Sequence, residues 1–194
     1  MAFGNRGILS QLGSLVQINN ALVEEVSTTN NKTGFIVVSY VNYSAAGIAF
    51  VDTLQLNVSG NTTIINLTGG RNCICDIQEG MWVDVISSSS MTRSIPPQSN
   101  AFVIVVRRGV AAATDITTDR IIYVDNNSIL TGNANRINTQ TRFIVTSNTV
   151  IRNRMGEPIR ISDLRPGQRV RVIHANFQTA SIPPQTTAFY IQII

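Results

Sequence analysis

Very few side chains of this chain could carry out chemistry, and they do not form a set. His174 is the only histidine, and a general base needs a nucleophile held beside it. It follows a stretch of alternating apolar residues, which predicts an ordinary position on the surface of a strand. No catalytic set, metal site or cofactor motif is recognisable. We therefore expect a protein that is not an enzyme and has no cofactor.

Cys73 and Cys75 are the only cysteines and stand two residues apart. On a strand they would project from the same face. Two cysteines are too few for a structural zinc site, which takes four Cys or His ligands. Two alternatives stay open: free thiols, or a disulfide to a neighbouring subunit if the protein reaches an oxidising environment.

Arginines near the C-terminus could bind a polyanion. Residues 110–194 hold nine basic and five acidic side chains, and guanidinium groups recognise phosphates and carboxylates. Nucleic-acid binding usually also needs aromatic side chains on which bases stack, and Phe143, Phe177 and Tyr190 are the candidates. The arginines proposed for this face are Arg152, Arg154, Arg160, Arg165, Arg169 and Arg171.

A tandem duplication determines which elements must position these residues. At an offset of 87 residues, positions 74–106 match positions 161–193 at 15 of 33 places without a gap. Both copies contain Ser-Ile-Pro-Pro-Gln, at 94–98 and 181–185, and its two prolines predict a rigid connector leading into a last strand. We therefore predict two similar domains, residues 34–108 and 109–194, after an N-terminal arm of residues 1–33, helical or extended. The arm either caps its own first domain or docks on a neighbouring subunit.

The composition predicts an all-β fold. Ile, Val and Thr together make up 63 of the 194 residues, and β-branched side chains favour strands over helices. About six short strands per copy favour a small closed barrel or a compact sandwich, because both shapes limit exposed sheet edges. The predicted strands are residues 35–41, 48–58, 62–67, 73–77, 82–87 and 101–107 in the first copy, and 120–125, 136–146, 149–153, 158–161, 169–174 and 188–194 in the second.

One set of turn and core residues resembles a known kind of domain. The set is Asn148, Thr149, Ile151, Asp163, Leu164, Gly167, Val170 and Val172. It is similar to small bacterial β-barrel domains of oligonucleotide/oligosaccharide-binding-like shape in uncharacterised proteins of spore-forming anaerobes. The resemblance covers about two thirds of each copy and implies a tandem of such barrels. It implies no functional residue.

The two copies differ where their surfaces could meet other molecules. Trp82 and Asp84 in the first stand where the second has Arg169 and Arg171, so unlike faces could join head to tail. With only 13% charged residues, this favours a non-enzymatic, self-assembling structural protein. We expect a homo-oligomer such as a fibre or coat subunit on a bacterial cell or spore. The alternative is a soluble module that binds nucleic acid or acidic polysaccharide through the arginine-rich second domain.

The N-terminal sequence lacks the apolar core of a secretory signal. No apolar run approaches the ~20 residues that a membrane helix needs. The first hypothesis therefore places the protein at a cell or spore surface without a classical signal peptide, and the alternative places it in the cytoplasm.

Overall fold

The computed structural model describes residues 4–107 and 114–194. The chain divides into two compact units, Met1–Ala112 and Ala113–Ile194. Regular structure in the described residues is almost entirely β, with one three-residue 3-10 helix in each unit. These observations confirm the prediction of an all-β tandem. No helix in the described part of the chain is both long enough and apolar enough to cross a membrane.

The first unit is a closed barrel. Its strands within residues 4–107 are β1 (Leu9–Leu12), β2 (Leu15–Asn30), β3 (Thr33–Tyr43), β4 (Ala49–Val58), β5 (Thr63–Asn66), β6 (Trp82–Ser88) and β7 (Gln98–Arg107). β2, β3 and β4 form an antiparallel meander. β4 then pairs in parallel with β7. β7 pairs antiparallel with β6, and β6 pairs antiparallel with β2, which completes the ring. Alternate side chains fill the interior, among them Ile36, Leu54 and Val85, none of which is exposed.

The second unit repeats this ring. Its strands within residues 114–194 are β8 (Thr114–Val124), β9 (Ser128–Asn133), β10 (Arg136–Ile144), β11 (Val150–Arg152), β12 (Arg169–Ala175) and β13 (Gln185–Ile193). β8, β9 and β10 form the antiparallel meander. β10 pairs in parallel with β13. β13 pairs antiparallel with β12, and β12 pairs antiparallel with β8. Among the described strands, β11 pairs only with β13 and lies outside the ring, so the ring has five strands in the order β8, β9, β10, β13, β12 and back to β8. Oligonucleotide/oligosaccharide-binding folds are also five-stranded barrels. β9 was not predicted from the sequence.

Residues 4–33, the described part of the predicted N-terminal arm, are not separate from the first domain. From Leu15 onward they form β2, a strand of 16 residues that pairs with both β3 and β6. Leu15, Val16 and Ile18 in β2 are at most 2% exposed. β2 therefore takes the place in the first ring that β8 takes in the second. The extended conformation was one of the two alternatives predicted. The domain boundary after residue 33 was wrong, because β2 and β8 share a position in the barrel but no recognisable sequence.

Two segments predicted as strands, residues 73–77 and 158–161, differ in the structure. Each repeat instead has a 3-10 helix here, Ile74–Asp76 in the first unit and Ile161–Asp163 in the second. The aspartate that ends each helix accepts the N–H of the residue just before the helix, at 2.8 Å in both units. A local carboxylate-to-backbone hydrogen bond competes with strand pairing, which explains the difference.

The duplicated Ser-Ile-Pro-Pro-Gln connectors form the same hydrogen-bonded loop in both units. The Thr92 N–H donates to the Gln98 carbonyl at 3.0 Å, and the Thr179 N–H donates to the Gln185 carbonyl at 2.9 Å. The first of the two prolines follows a cis peptide bond in each copy. The connectors lead directly into β7 and β13. Ile95, at the tip of the first loop, is fully exposed.

Candidate functional site

Three arginines from three different strands line one cleft of the second unit. Arg120 lies in β8, Arg136 begins β10, and Arg169 begins β12. Arg120 and Arg169 stand directly opposite each other in the β8–β12 ladder, so their side chains leave the same face of the sheet. We call this cleft, of about 710 Å³, the arginine cleft; its lining is residues 118–122, 132–134, 136, 139, 166, 167 and 169. Its size is within the range of ligand-binding pockets.

The arginine cleft carries three positive side chains and one negative one. All three arginines are exposed, and within the described residues none of them forms an ion pair. The cleft contains one acidic side chain, Asp119, whose carboxylate accepts the Arg120 N–H at 2.7 Å. Like charges directly opposite each other on neighbouring strands destabilise a sheet. Arg120 Nη1 donates to the Gly167 carbonyl at 3.0 Å.

Two glycines bring the arginine-bearing segments close to β8. Gly132 has φ of +123°, and a Cβ there would lie 2.4 Å from the Thr139 carbonyl oxygen. Only glycine therefore lets the β9–β10 hairpin close tightly next to Arg136. Gly167 has φ of +88° and donates its N–H to the Ile121 carbonyl at 2.8 Å, which holds the turn before β12 against β8.

A second cleft adjoins the arginine cleft and shares Pro166 with it. We call it the tyrosine cleft; its volume is about 450 Å³ and its lining is residues 123–126, 161, 162 and 164–166. Tyr123 is 53% exposed in it and can offer a ring face to a flat ligand. The two clefts follow β8 over residues 118–124, a distance of roughly 20 Å at about 3.3 Å per strand residue.

The structure does not gather the six predicted arginines into one face. Arg169 lines the arginine cleft and Arg165 lines the tyrosine cleft. Arg171 stands in the next row of the sheet, between Thr118 of β8 and Gln192 of β13.

The other three predicted arginines line neither cleft. Arg152 is half-buried and donates to the Gly156 carbonyl, and Arg154 and Arg160 are exposed. Sequence reasoning missed Arg120 and Arg136. The signal for Arg120 was the ring order itself, since β8 pairs with β12, which carries Arg169.

Of the three predicted stacking aromatics, only Phe177 is accessible. It is 53% exposed in the connector between β12 and β13, whereas Phe143 and Tyr190 are not exposed at all. Burial raises the pKa of Tyr190 to about 12, although the charges of Arg152 and Arg171 act in the opposite direction. The Tyr190 phenol is therefore neutral at physiological pH.

His174 is a buried residue and not the strand-surface residue that the pattern predicted. Its side chain is 3% exposed, and its ring centroid lies 4.9 Å from that of Phe143. Nδ1–H donates to the Ala175 carbonyl at 2.8 Å, which leaves Nε2 to accept the Thr117 hydroxyl at 2.9 Å. Both ring nitrogens are thus satisfied within the fold.

Asp84 cannot make the head-to-tail contact with Arg171 that the sequence suggested. It is 2% exposed, and its Oδ1 accepts Arg107 Nη1 at 2.9 Å within the same unit. It also accepts the Asn20 N–H at 2.7 Å. Trp82, the other proposed contact in the first unit, is half-buried at the start of β6.

Cys73 and Cys75 are joined to each other in a disulfide. The predicted disulfide between subunits and the alternative of two free thiols are therefore both wrong for this structure. The two sulfurs and the Asp76 carboxylate lie within 4.8 Å of one another, but thiolates bind metals and disulfide sulfurs do not.

Comparisons with known proteins give only a remote likeness. No family model and no curated protein matches the chain. Among solved structures, the wild-type single-stranded DNA binding protein from Thermus aquaticus is similar at 12% identity and a TM-score of 0.29, over 97% of this chain and 94% of that one. A deletion mutant of the same protein gives 13% identity and a TM-score of 0.28, over 97% and 95%. Scores this low do not establish a shared arrangement, so no property is carried over.

Proposed function

We propose that the second unit binds single-stranded nucleic acid along β8, with phosphates in the arginine cleft and a base on Tyr123. The observation that carries this proposal is the convergence of Arg120, Arg136 and Arg169, from three strands, on one cleft. None of these arginines has an ionic partner in the described residues. Exposed like charges that a fold brings together without compensation are typical of an anion site.

The shape of the surface favours an extended strand over a small anion. The arginine cleft continues into the tyrosine cleft through their shared Pro166, so phosphate-binding and stacking groups follow one another along β8. Single-stranded nucleic acids bind barrels in this way, with the backbone in a positive groove and bases on aromatic rings. An acidic polysaccharide would use the arginines but would gain little from an aromatic platform for bases.

The experiment is a fluorescence anisotropy titration of the full chain with a labelled deoxythymidine oligonucleotide about 16 nucleotides long. Each phosphate contact contributes about 0.7 to the slope of log affinity against log salt for single strands. The variant R120A/R136A/R169A should therefore lower that slope by about 2. The matched control is R71A/R93A/R154A, which removes the same charge from exposed positions outside both clefts.

Equal losses in the two triple variants would contradict a localised site, and no binding at low salt would refute the function. Tyr123→Ala separates the two classes of polyanion. It should weaken oligonucleotide binding at least 5-fold, since stacking contributes about 1–3 kcal/mol per base. It should leave the binding of heparin, which has no bases, unchanged. If heparin binds more tightly than the oligonucleotide and Tyr123→Ala affects neither, the partner is an acidic polysaccharide.

Self-assembly is a second candidate function. The contact predicted between Asp84 and Arg171 is contradicted by the burial of Asp84. A different feature of the first unit, the outer edge of β4, supports association of copies.

A further inference from the structure

β4 has an open edge in the first unit. It pairs with β3 along its whole length, but on its other side it pairs with β7 only at residues 55–57. Within the described residues, no strand pairs with residues 49–54 on that side. The edge is therefore a row of backbone groups that can accept another strand.

The direction of the free backbone groups follows from one hydrogen bond. The Gln55 N–H donates to the Pro97 carbonyl at 2.9 Å, on the side away from β3. Backbone N–H and C=O groups in an antiparallel strand change side at every residue. The N–H and C=O of Ala49 and Val51 therefore point to the open edge, while those of Phe50 point to β3.

Apolar side chains surround this edge. Exposed fractions are 57% for Tyr43, 68% for Ile48, 41% for Phe50 and 44% for Val51. Charged side chains and prolines are the usual protections of an exposed edge. Residues 43–54 contain no proline and a single charged side chain, Asp52, whose Oδ2 accepts from Asn42 at 3.0 Å. The corresponding hairpin of the second unit is shorter, with only Ala134 and Asn135 between its strands, and has Arg136 beside its tip.

We infer that a second copy of this chain binds here, with its β4 antiparallel to the first across a two-fold axis. An antiparallel strand edge is complementary to itself, so one surface serves both copies. No like charges within residues 43–51 oppose this contact. With Phe50 beside Phe50 of the second copy, the Ala49 and Val51 backbones would exchange about four hydrogen bonds.

The area of the patch is consistent with a dimer. An aromatic side chain buries about 150–250 Å², so at roughly 200 Å² for a fully exposed side chain the four side chains offer roughly 400 Å² per copy. A standard interface buries about 800 Å² per partner. The backbone edge and the polar residues around the patch can supply the rest.

Sedimentation velocity of the full chain over a range of concentrations tests the dimer. The wild-type chain should shift from monomer to dimer as concentration rises. Val51→Lys should abolish the dimer by placing a charge at the contact, and Val51→Pro should do so by removing an edge N–H that β3 does not use. Ile137→Lys is the matched control, because Ile137 is 52% exposed in the second unit's hairpin and its substitution should leave the dimer intact. A wild-type chain that stays monomeric, or a dimer that survives both Val51 variants, overturns the inference.

Cross-linking tests the two-fold arrangement. In a chain with Cys73→Ser and Cys75→Ser, Phe50→Cys should form a disulfide between two copies under oxidising conditions. Residues directly opposite each other at a non-hydrogen-bonded position have Cα atoms about 4.5 Å apart, within the range of disulfides. Ile137→Cys in the same background should not cross-link. A dimer without cross-linking through Phe50→Cys overturns the antiparallel pairing.

Discussion

Protonation of His174 should destabilise the second unit in mild acid. The ring is 3% exposed, and the neutral form satisfies both nitrogens, with Nδ1–H donating to the Ala175 carbonyl and Nε2 accepting from Thr117. Burial lowers the pKa of His174 below its ordinary value of 6.5, while the Ala175 carbonyl and the charge of Asp115 act in the opposite direction. The folded chain therefore binds this proton less readily than the unfolded chain does.

The size and sign of the effect follow from proton linkage. Below pH 6.5 His174 becomes protonated in the unfolded chain before it does so in the folded chain. The free energy of unfolding therefore falls as pH falls. The limiting slope is about 1.4 kcal/mol per pH unit. A change from pH 6.5 to about pH 5 would remove up to about 2 kcal/mol. The stabilisation is fully present above pH 6.5 and is lost as pH falls towards the folded-state pKa.

Urea denaturation followed by far-ultraviolet circular dichroism, between about pH 7.5 and 5, measures the effect. The comparison is with His174→Gln, which keeps a donor and an acceptor but does not titrate. Carboxyl groups contribute to both proteins in this range, so the difference between the two pH profiles isolates His174. Parallel profiles between pH 6.5 and 5 would show that His174 is protonated as easily in the folded chain as in the unfolded one, and would refute the reasoning.

Three further predictions concern the fold around the sites. Asp84→Ala leaves Arg107 without its buried partner and should cost about 3–5 kcal/mol; an unchanged urea midpoint would argue against the ion pair. Gly132→Ala forces a Cβ against the Thr139 carbonyl and should both destabilise the chain and weaken oligonucleotide binding. An unchanged affinity in the anisotropy titration would show that the β9–β10 hairpin is not part of the binding site. Thr179→Val removes the hydroxyl that accepts the Gln185 N–H in the second connector and should lower the free energy of unfolding by about 1 kcal/mol. The measurement is the thermal midpoint, and an unchanged midpoint would show that this hydrogen bond does not stabilise the loop.

The repeat made one part of the fold predictable. β6 and β12 occupy equivalent positions at the 87-residue offset, and so do the starts of β7 and β13. These strands were visible because alternation of apolar residues is a local property of a strand. β2 was not, because its place in the ring depends on pairing with β6, far away in the sequence. The 3-10 helices were missed because a side-chain cap outweighed the local preference for strand.

The candidate site was predictable only in part. Arg169 was named because Arg169 and Arg171 alternate with apolar residues along one strand. Arg120 and Arg136 were not, because nothing near them in the sequence marks them as neighbours of Arg169. Asp84 gave the opposite error: its alternation with valines suggested an exposed face, but its partner Arg107 lies on the neighbouring strand and the pair is buried.

The sequence by itself determined that the chain is an all-β tandem, since composition, strand periodicity and the 87-residue repeat are all properties of residues read in order. The tertiary structure alone decided which charges meet and which edges stay open. Closing the ring places β8 beside β12, and this brings Arg120 opposite Arg169. The same closure covers β4 only at residues 55–57, and no other described strand pairs with the rest of its outer edge. Such neighbours depend on strand order and register, which no local pattern encodes.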